Sequence, residues 1–324
     1  MFFATAFAAN AKETVTVYTE REPQFIQPVL ERFTKSTGID VDVVYEQSDL
    51  VERIQSEGRA TDADVLIAVN VGRLVEAAGA GIAAPITSRA VLDNIPASYR
   101  DKGGLWVGLT MRARVLITPR KPGDDQVLTS YEGLADPIWK GAICMRSGYH
   151  VYNTGLIASM IAHHGEDYTR DWLRYLKSNL ARKPQGKDRD QIAAVASGEC
   201  RIGIANSYYY GKMLDDPEKR AAASKVQITF PNQETFGTHV NITGVVMMAN
   251  APHAENALQL IEFMASSDIQ HVYADANFEY PVGVVWPEKL RSWGDFKAEQ
   301  LPLTVIAGYQ ELAKQLLDEV AFDD

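Results

Sequence analysis

Apolar positions alternate between two spacings along the first part of the chain. Val15-Thr-Val-Tyr18 is a short run of β-forming residues. After Pro23, the residues Phe25, Ile26, Val29, Leu30 and Phe33 recur at three and four, which predicts an amphipathic helix ending at Gly38. Val41-Asp-Val-Val-Tyr45, a helix through Leu50, Val51 and Ile54, and the apolar run Asp64-Val-Leu-Ile-Ala-Val69 continue the rhythm. A β-α-β-α-β order predicts a parallel sheet with helices on both faces.

The rhythm restarts in the second half. Gly141-Ala-Ile-Cys144 reads as a strand leading to a helix from Thr154 to His164, and Trp172, Leu173 and Leu176 mark another helix. Ile192 to Ala196 precedes the strand Ile202-Gly-Ile-Ala205. Arg114 to Thr118 and Val240 to Met248 read as long strands, Ala254 to Ala265 as a helix, Tyr280-Pro281 as a loop, and Leu312 to Val320 as a terminal helix. No repeat or low-complexity linker separates the halves, so crossing strands rather than a tether are expected to join two lobes. Open α/β sheets take ligands beyond the carboxyl ends of their strands, and two facing lobes make a cleft able to close on one.

Composition narrows the partners. The chain has 324 residues, enough for two lobes, and 32 basic against 42 acidic residues leave a net charge of −10. Nucleic acid is excluded as a partner, since phosphate binding needs clustered positive charge. No apolar run is long enough to span a membrane. Met1 to Ala11 is apolar and small, ending in Ala9-Asn10-Ala11, and reads as the remnant of a signal peptide with the mature chain starting near Lys12. Cys144 and Cys200 are the only cysteines. They form either a single disulfide or two buried thiols, and no spacing suggests zinc.

The chemistry concentrates in Asn206-Ser-Tyr208-Tyr209-Tyr210-Gly211, at the carboxyl end of a strand, and in Tyr152, which holds the matching position in the segment before the Thr154 helix. Convergent tyrosines with few histidines or cysteines suit a hard trivalent cation, whose charge displaces the phenol proton. The competing reading is packing, with rings buried and hydroxyls wet. His163, His164 and Glu166 fall at a helix end, and His239 is expected to fix local hydrogen bonds. No catalytic signature such as G-x-S-x-G, H-E-x-x-H or a P-loop is present, and the chain is not read as an enzyme.

From Val15 to Lys297 the sequence resembles the ferric-ion-binding proteins of bacterial ABC iron importers. The resemblance rests on Tyr18-Thr-Glu-Arg-Glu22, Ala63-Asp-Val-Leu66, Trp106-Val-Gly-Leu-Thr-Met-Arg112-Ala-Arg114-Val115 and Arg146-Ser147 through Tyr152-Asn153. It continues through Asn206-Ser-Tyr208-Tyr209, Gly237-Thr-His-Val-Asn-Ile242, Glu279-Tyr-Pro-Val282 and Ser292-Trp-Gly-Asp295. It implies a type II periplasmic-binding-protein fold, each lobe a mostly parallel sheet. The expected division is an N-lobe over 12–112, a C-lobe over 113–236, an N-lobe return over 237–284 and a C-lobe terminal segment over 285–324.

The resemblance further implies Fe(III) held by Tyr152, Tyr208 and Tyr209 with a synergistic anion, carbonate first and phosphate or citrate after it. Arg112 matches the anion-binding position, with Arg114 and Arg21 behind it and the backbone of Ser147 and Gly148 assisting. Asn206 and Tyr210 are expected to support the ligands. Some relatives carry a histidine where Glu22 stands and a glutamate ligand where Val69 and Asn70 stand, so the N-lobe gives either no ligand or Glu22 alone. A periplasmic, monomeric protein delivering ferric iron to an inner-membrane ABC permease is the implied function. The alternative is a small-anion binder on the same scaffold, without metal.

Overall fold

A computed structural model describes residues 13–46, 49–120 and 128–324. The proposed leader, 1–11, lies outside the described residues. Strand β1 (Thr14–Thr19), helix α1 (Pro23–Thr37), β2 (Asp40–Tyr45), α2 (Leu50–Glu57), β3 (Val65–Ala68) and α3 (Val71–Gly79) follow in chain order. The three strands are parallel in the order β2-β1-β3. Helix α1 buries Phe25, Ile26, Val29, Leu30 and Phe33 and stops at Gly38, whose φ of 81° suits a residue without a Cβ.

After β4 (Ala83–Ala84) and α4 (Arg89–Asn94) comes β5 (Val107–Pro119), longer than its apolar core alone predicts. The second half contains β6 (Ile143–Cys144), α5 (Val151–His164), α6 (Glu166–Asn179), α7 (Asp188–Ser197), β7 (Ile202–Asn206), α8 (Ser207–Asp215), α9 (Arg220–Ala223) and β8 (Val226–Thr229). The chain then returns through β9 (Val240–Met248), α10 (Ala254–Ala265), α11 (Ser267–Asn277) and β10 (Tyr280–Pro281). It ends in α12 (Glu288–Arg291), α13 (Leu303–Gly308) and α14 (Gln310–Glu319).

Strand β5 joins the halves. Its residues Val107 to Ala113 pair with β9, which also pairs with β3, whereas Arg114 to Pro119 pair with β7 and β8. One strand therefore contributes backbone hydrogen bonds to both sheets, the expected crossing connection. Tyr280-Pro281 is not a loop: the pair adds a short antiparallel strand against Met111 and Thr110. This is possible for proline because edge positions do not require its missing donor.

β6 and β7 are parallel neighbours, with Ile143 opposite Ile202. That pairing brings Cys144 and Cys200 together in a disulfide, Cα atoms 5.9 Å apart across 56 residues of chain. His239 enters β9 paired with the buried Glu299, which also accepts from Ser159 Oγ at 2.5 Å. His163 approaches the same carboxylate at 3.5 Å, and His164 bonds Glu132 at 2.8 Å. These histidines serve local pairs behind the cleft.

Candidate metal and anion site

Two helix starts carry the tyrosines. Helix α5 begins at Val151, three residues earlier than its apolar pattern predicts, so Tyr152 lies on its first turn rather than in the preceding segment. His150 caps that turn, its Nδ1 accepting the Tyr152 N–H at 3.3 Å. Helix α8 begins directly after β7, placing Tyr208 and Tyr209 on its first turn. The positive ends of both helices thus face the place where phenolate charge would develop.

The three phenols converge. Tyr152 and Tyr208 have hydroxyls 3.2 Å apart, and the Tyr208 and Tyr209 rings lie 4.1 Å apart, tilted by 31°. Together with Arg112 and Glu279 they line one side of a cavity of about 100 Å³, closed on the other side by Glu20, Arg21, Glu22, Phe25 and Val69. Burial pushes the Tyr208 hydroxyl well above the usual phenol range, and the neighbouring Tyr152 and Tyr209 push it further. Burial likewise raises Tyr209, with Tyr152 and Asp188 adding to it. Ionising these phenols therefore needs a compensating cation in the cavity.

Two buried carboxylates organise the cations around the cavity. Glu279 takes Arg21 at 2.8 Å and Arg112 at 3.5 Å, while Thr243 Oγ1 accepts from both guanidinium groups at 2.7 Å. Asp188 takes Arg114 and Arg146, the latter at 2.5 Å, and accepts the Asn206 N–H at 2.9 Å. Burial alone would raise each carboxyl, but the paired arginines outweigh it and hold both below the usual range. Each cluster carries two guanidinium charges against one carboxylate, leaving a surplus positive charge on either side of the tyrosines. The guanidinium carbons of Arg112, Arg114 and Arg146 lie within 5.3–6.0 Å of the Tyr152 ring centre.

The remaining expected residues separate into those at the cavity and those away from it. Arg21 lines the cavity, but its donors are committed to Phe25 O, Thr243 and Glu279. Arg112 bonds Thr243 and Ile242 O and keeps its Nε without a partner among the described residues. Arg114 stands beneath the Tyr152 ring rather than on the cavity wall, held by Asp188, Asn206 and Asn153. Asn206 joins that cluster.

Ser147 and Gly148 are not brought to the cavity. The Gly148 N–H is taken by Asp323 at 2.8 Å, and Leu317 and Phe322 occupy the space where a Cβ would point. The C-terminal residues thus claim the amide expected for an anion. Tyr210 faces away, its ring against Trp293 and its hydroxyl on Val226 O at 3.4 Å. Glu22 sits exposed at the rim beside Gln24, and Asn70 is spent capping α3 through the Gly72 N–H at 2.6 Å.

Three contributors escape the sequence pattern: Glu20 and Glu279 on the cavity wall, and Asp188 beneath it. Glu20 and Glu279 carry a signal only through their places in matched motifs. Asp188 carries none, because Lys187-Asp188-Arg189-Asp190 reads as a solvated charge run. Among the described residues, the one group of three His, Cys or carboxylate side chains close enough to share a metal is Cys144, Glu199 and Cys200, and its sulfurs are consumed by the disulfide. No helix of the described residues is long and apolar enough to cross a membrane.

Comparison with known proteins agrees with this architecture. Residues 61–295 match the bacterial extracellular solute-binding protein family. The chain is 39% identical over 316 residues to iron uptake protein A1 of Synechocystis sp., covering 96% of this chain and 88% of that protein. The structure superimposes on apo ferric ion-binding protein A of Pasteurella haemolytica with a TM-score of 0.91 at 44% identity, covering 96% of this chain and 99% of the other. It also superimposes on a Trichodesmium protein solved with iron and citrate ligands, with a TM-score of 0.89 at 39% identity over 95% and 99% of the two chains. With its two-lobed type II architecture and a tyrosine-lined cleft between crossing strands, the chain belongs to the bacterial extracellular solute-binding protein family.

Proposed function

We propose that this chain is a periplasmic Fe(III)-binding protein that captures the ion through Tyr152, Tyr208 and Tyr209 and a small anion and delivers it as a monomer to an ABC permease. The observation that carries the reading is the convergence of three phenols from two helix starts beside Arg112 in one small cavity. Hard trivalent iron favours anionic oxygen, and with three phenolates it forms a neutral unit. The surplus charge of the Arg21–Glu279–Arg112 and Arg114–Asp188–Arg146 clusters then calls for an added anion.

Carbonate is the first anion to test, a small planar oxyanion whose edge suits a guanidinium. Arg112, which lines the cavity beside the tyrosines, is the proposed anion contact. Asn206 supports it from behind through Arg114. The switch of β5 from β9 to β7 after Ala113, and the entry into β9 at Val240, support lobe boundaries near 112 and 236.

The relatives named for iron uptake and ferric binding support the same reading. Capture without metal is the second reading, favoured by the arginine surplus, which would attract a small anion on its own. One experiment separates the two. Ferric citrate and bicarbonate are added to chelator-stripped protein and the visible spectrum is recorded. A tyrosinate-to-iron charge-transfer band supports the ferric site. A colourless protein that binds bicarbonate or phosphate but retains no iron overturns it in favour of the anion binder.

A further inference from the structure

The wall opposite the tyrosines contains two carboxylates, Glu20 and Glu22, each accepting a hydrogen bond at one oxygen. Glu20 follows the carboxyl end of β1 and lines the same cavity as Tyr152, Tyr208 and Tyr209. Its Oε1 accepts the Val69 N–H at 3.0 Å, which fixes the side chain across the ends of β1 and β3. Its Oε2 has no bonding partner among the described residues. The other two cavity carboxylates differ. Glu279 is engaged by Arg21, Arg112 and Thr110, and Glu22 is exposed beside Gln24.

Coordination arithmetic gives that free oxygen a role. A hard ion surrounded by oxygen donors tends towards an octahedron. Three phenolates and a two-toothed anion leave one corner, and Glu20 is the carboxylate on the facing wall that a backbone donor holds in place, whereas Glu22 is exposed at the rim.

Resting on the ferric reading above, we infer that Glu20 is the contact of the N-terminal wall with the bound ferric ion, its Oε2 filling the corner that the tyrosines and anion leave. Because Glu20 belongs to the half that faces the tyrosines, this contact ties ion retention to the approach of the two walls.

The test uses Glu20→Gln and Glu20→Ala in the full chain. Gln preserves shape and the acceptor for the Val69 N–H while removing the charge. The expected result is a charge-transfer band that still forms, because the tyrosines remain, with iron lost to a competing chelator about 10–100-fold faster than from the unaltered protein. Glu22→Gln should lose iron more slowly than either Glu20 variant. Apo thermal unfolding of Glu20→Gln checks that the fold is intact, and Glu20→Ala removes any residual amide ligation. Iron loss at the unaltered rate from both Glu20 variants would overturn the inference while leaving the tyrosine site standing. A band absent even in the unaltered protein would instead overturn the ferric reading.

Discussion

The two walls of the cavity are built differently. The tyrosine wall hangs on two helix starts and a buried carboxylate: Asp188 binds Arg114 on β5, Arg146 before α5 and the Asn206 N–H before α8. A single side chain thus ties together the three segments that carry or precede the tyrosines. The facing wall has Glu20 docked on the Val69 amide, and Phe25 edge-on to Tyr208 with ring centres 6.0 Å apart. The buried Arg21–Glu279 ion pair is the polar link between the walls. One side is a prearranged donor set; the other is a cover joined to it through that pair.

Removing a donor should break that contrast most severely. Tyr208→Phe keeps the ring against Phe25 but deletes the hydroxyl that meets Tyr152 at 3.2 Å. The expected outcome is loss of the charge-transfer band and of iron retention, with apo thermal stability close to unaltered. Asp188→Asn should come next, lowering stability by about 3–5 kcal/mol by leaving two buried guanidinium groups against a neutral partner, measurable by urea unfolding of apo protein.

A group distant from both walls provides a reference. Burial would raise the Glu299 carboxyl, but His239, His163 and Ser159 outweigh it and hold it down at about 2. Because the folded value lies below the unfolded one, the stability it adds is present above the usual carboxylate range and lost as pH falls towards 2. The loss should be on the order of 3 kcal/mol. Thermal unfolding of the apo protein across pH 5 to 2 should show this fall, and Glu299→Gln should flatten it.

Arg112→Gln should weaken iron retention about 10–100-fold and abolish the dependence on added bicarbonate. A variant still needing bicarbonate would move the anion contact elsewhere. The smallest effect is expected from Phe25→Ala. Losing one edge-to-face pair across the walls costs closure about 1 kcal/mol, read as a modest rise in the iron off-rate at constant band intensity.

Much of this arrangement is legible from periodicity alone. The α1 stripe, the β3 run and the α10 boundaries follow directly from apolar spacing, because burial on one face leaves a pattern. The start of α5 is less legible. Val151 is exposed and Tyr152 lines the cavity, so neither carries core periodicity, and the cap is a histidine, an uncommon N-cap. Convergence of the tyrosines can be anticipated from their positions at strand ends. Their supporting charges cannot, since Asp188 and Glu279 are buried only because arginines distant in sequence reach them. The Gly148 amide fails as an anion donor for a related reason: Asp323, at the far end of the chain, claims it first.

Arg112 and Arg114 stand two residues apart on β5 and so project from the same face, one towards Glu279 and the other towards Asp188. The strand therefore acts as a ruler. Two steps of extended chain, roughly 7 Å, set the spacing between the roots of the two cationic clusters. No exchange of side chains can alter that interval. An engineer seeking to admit a bulkier anion would have to insert a pair of residues into the strand, since a single insertion would turn one arginine out of the site altogether.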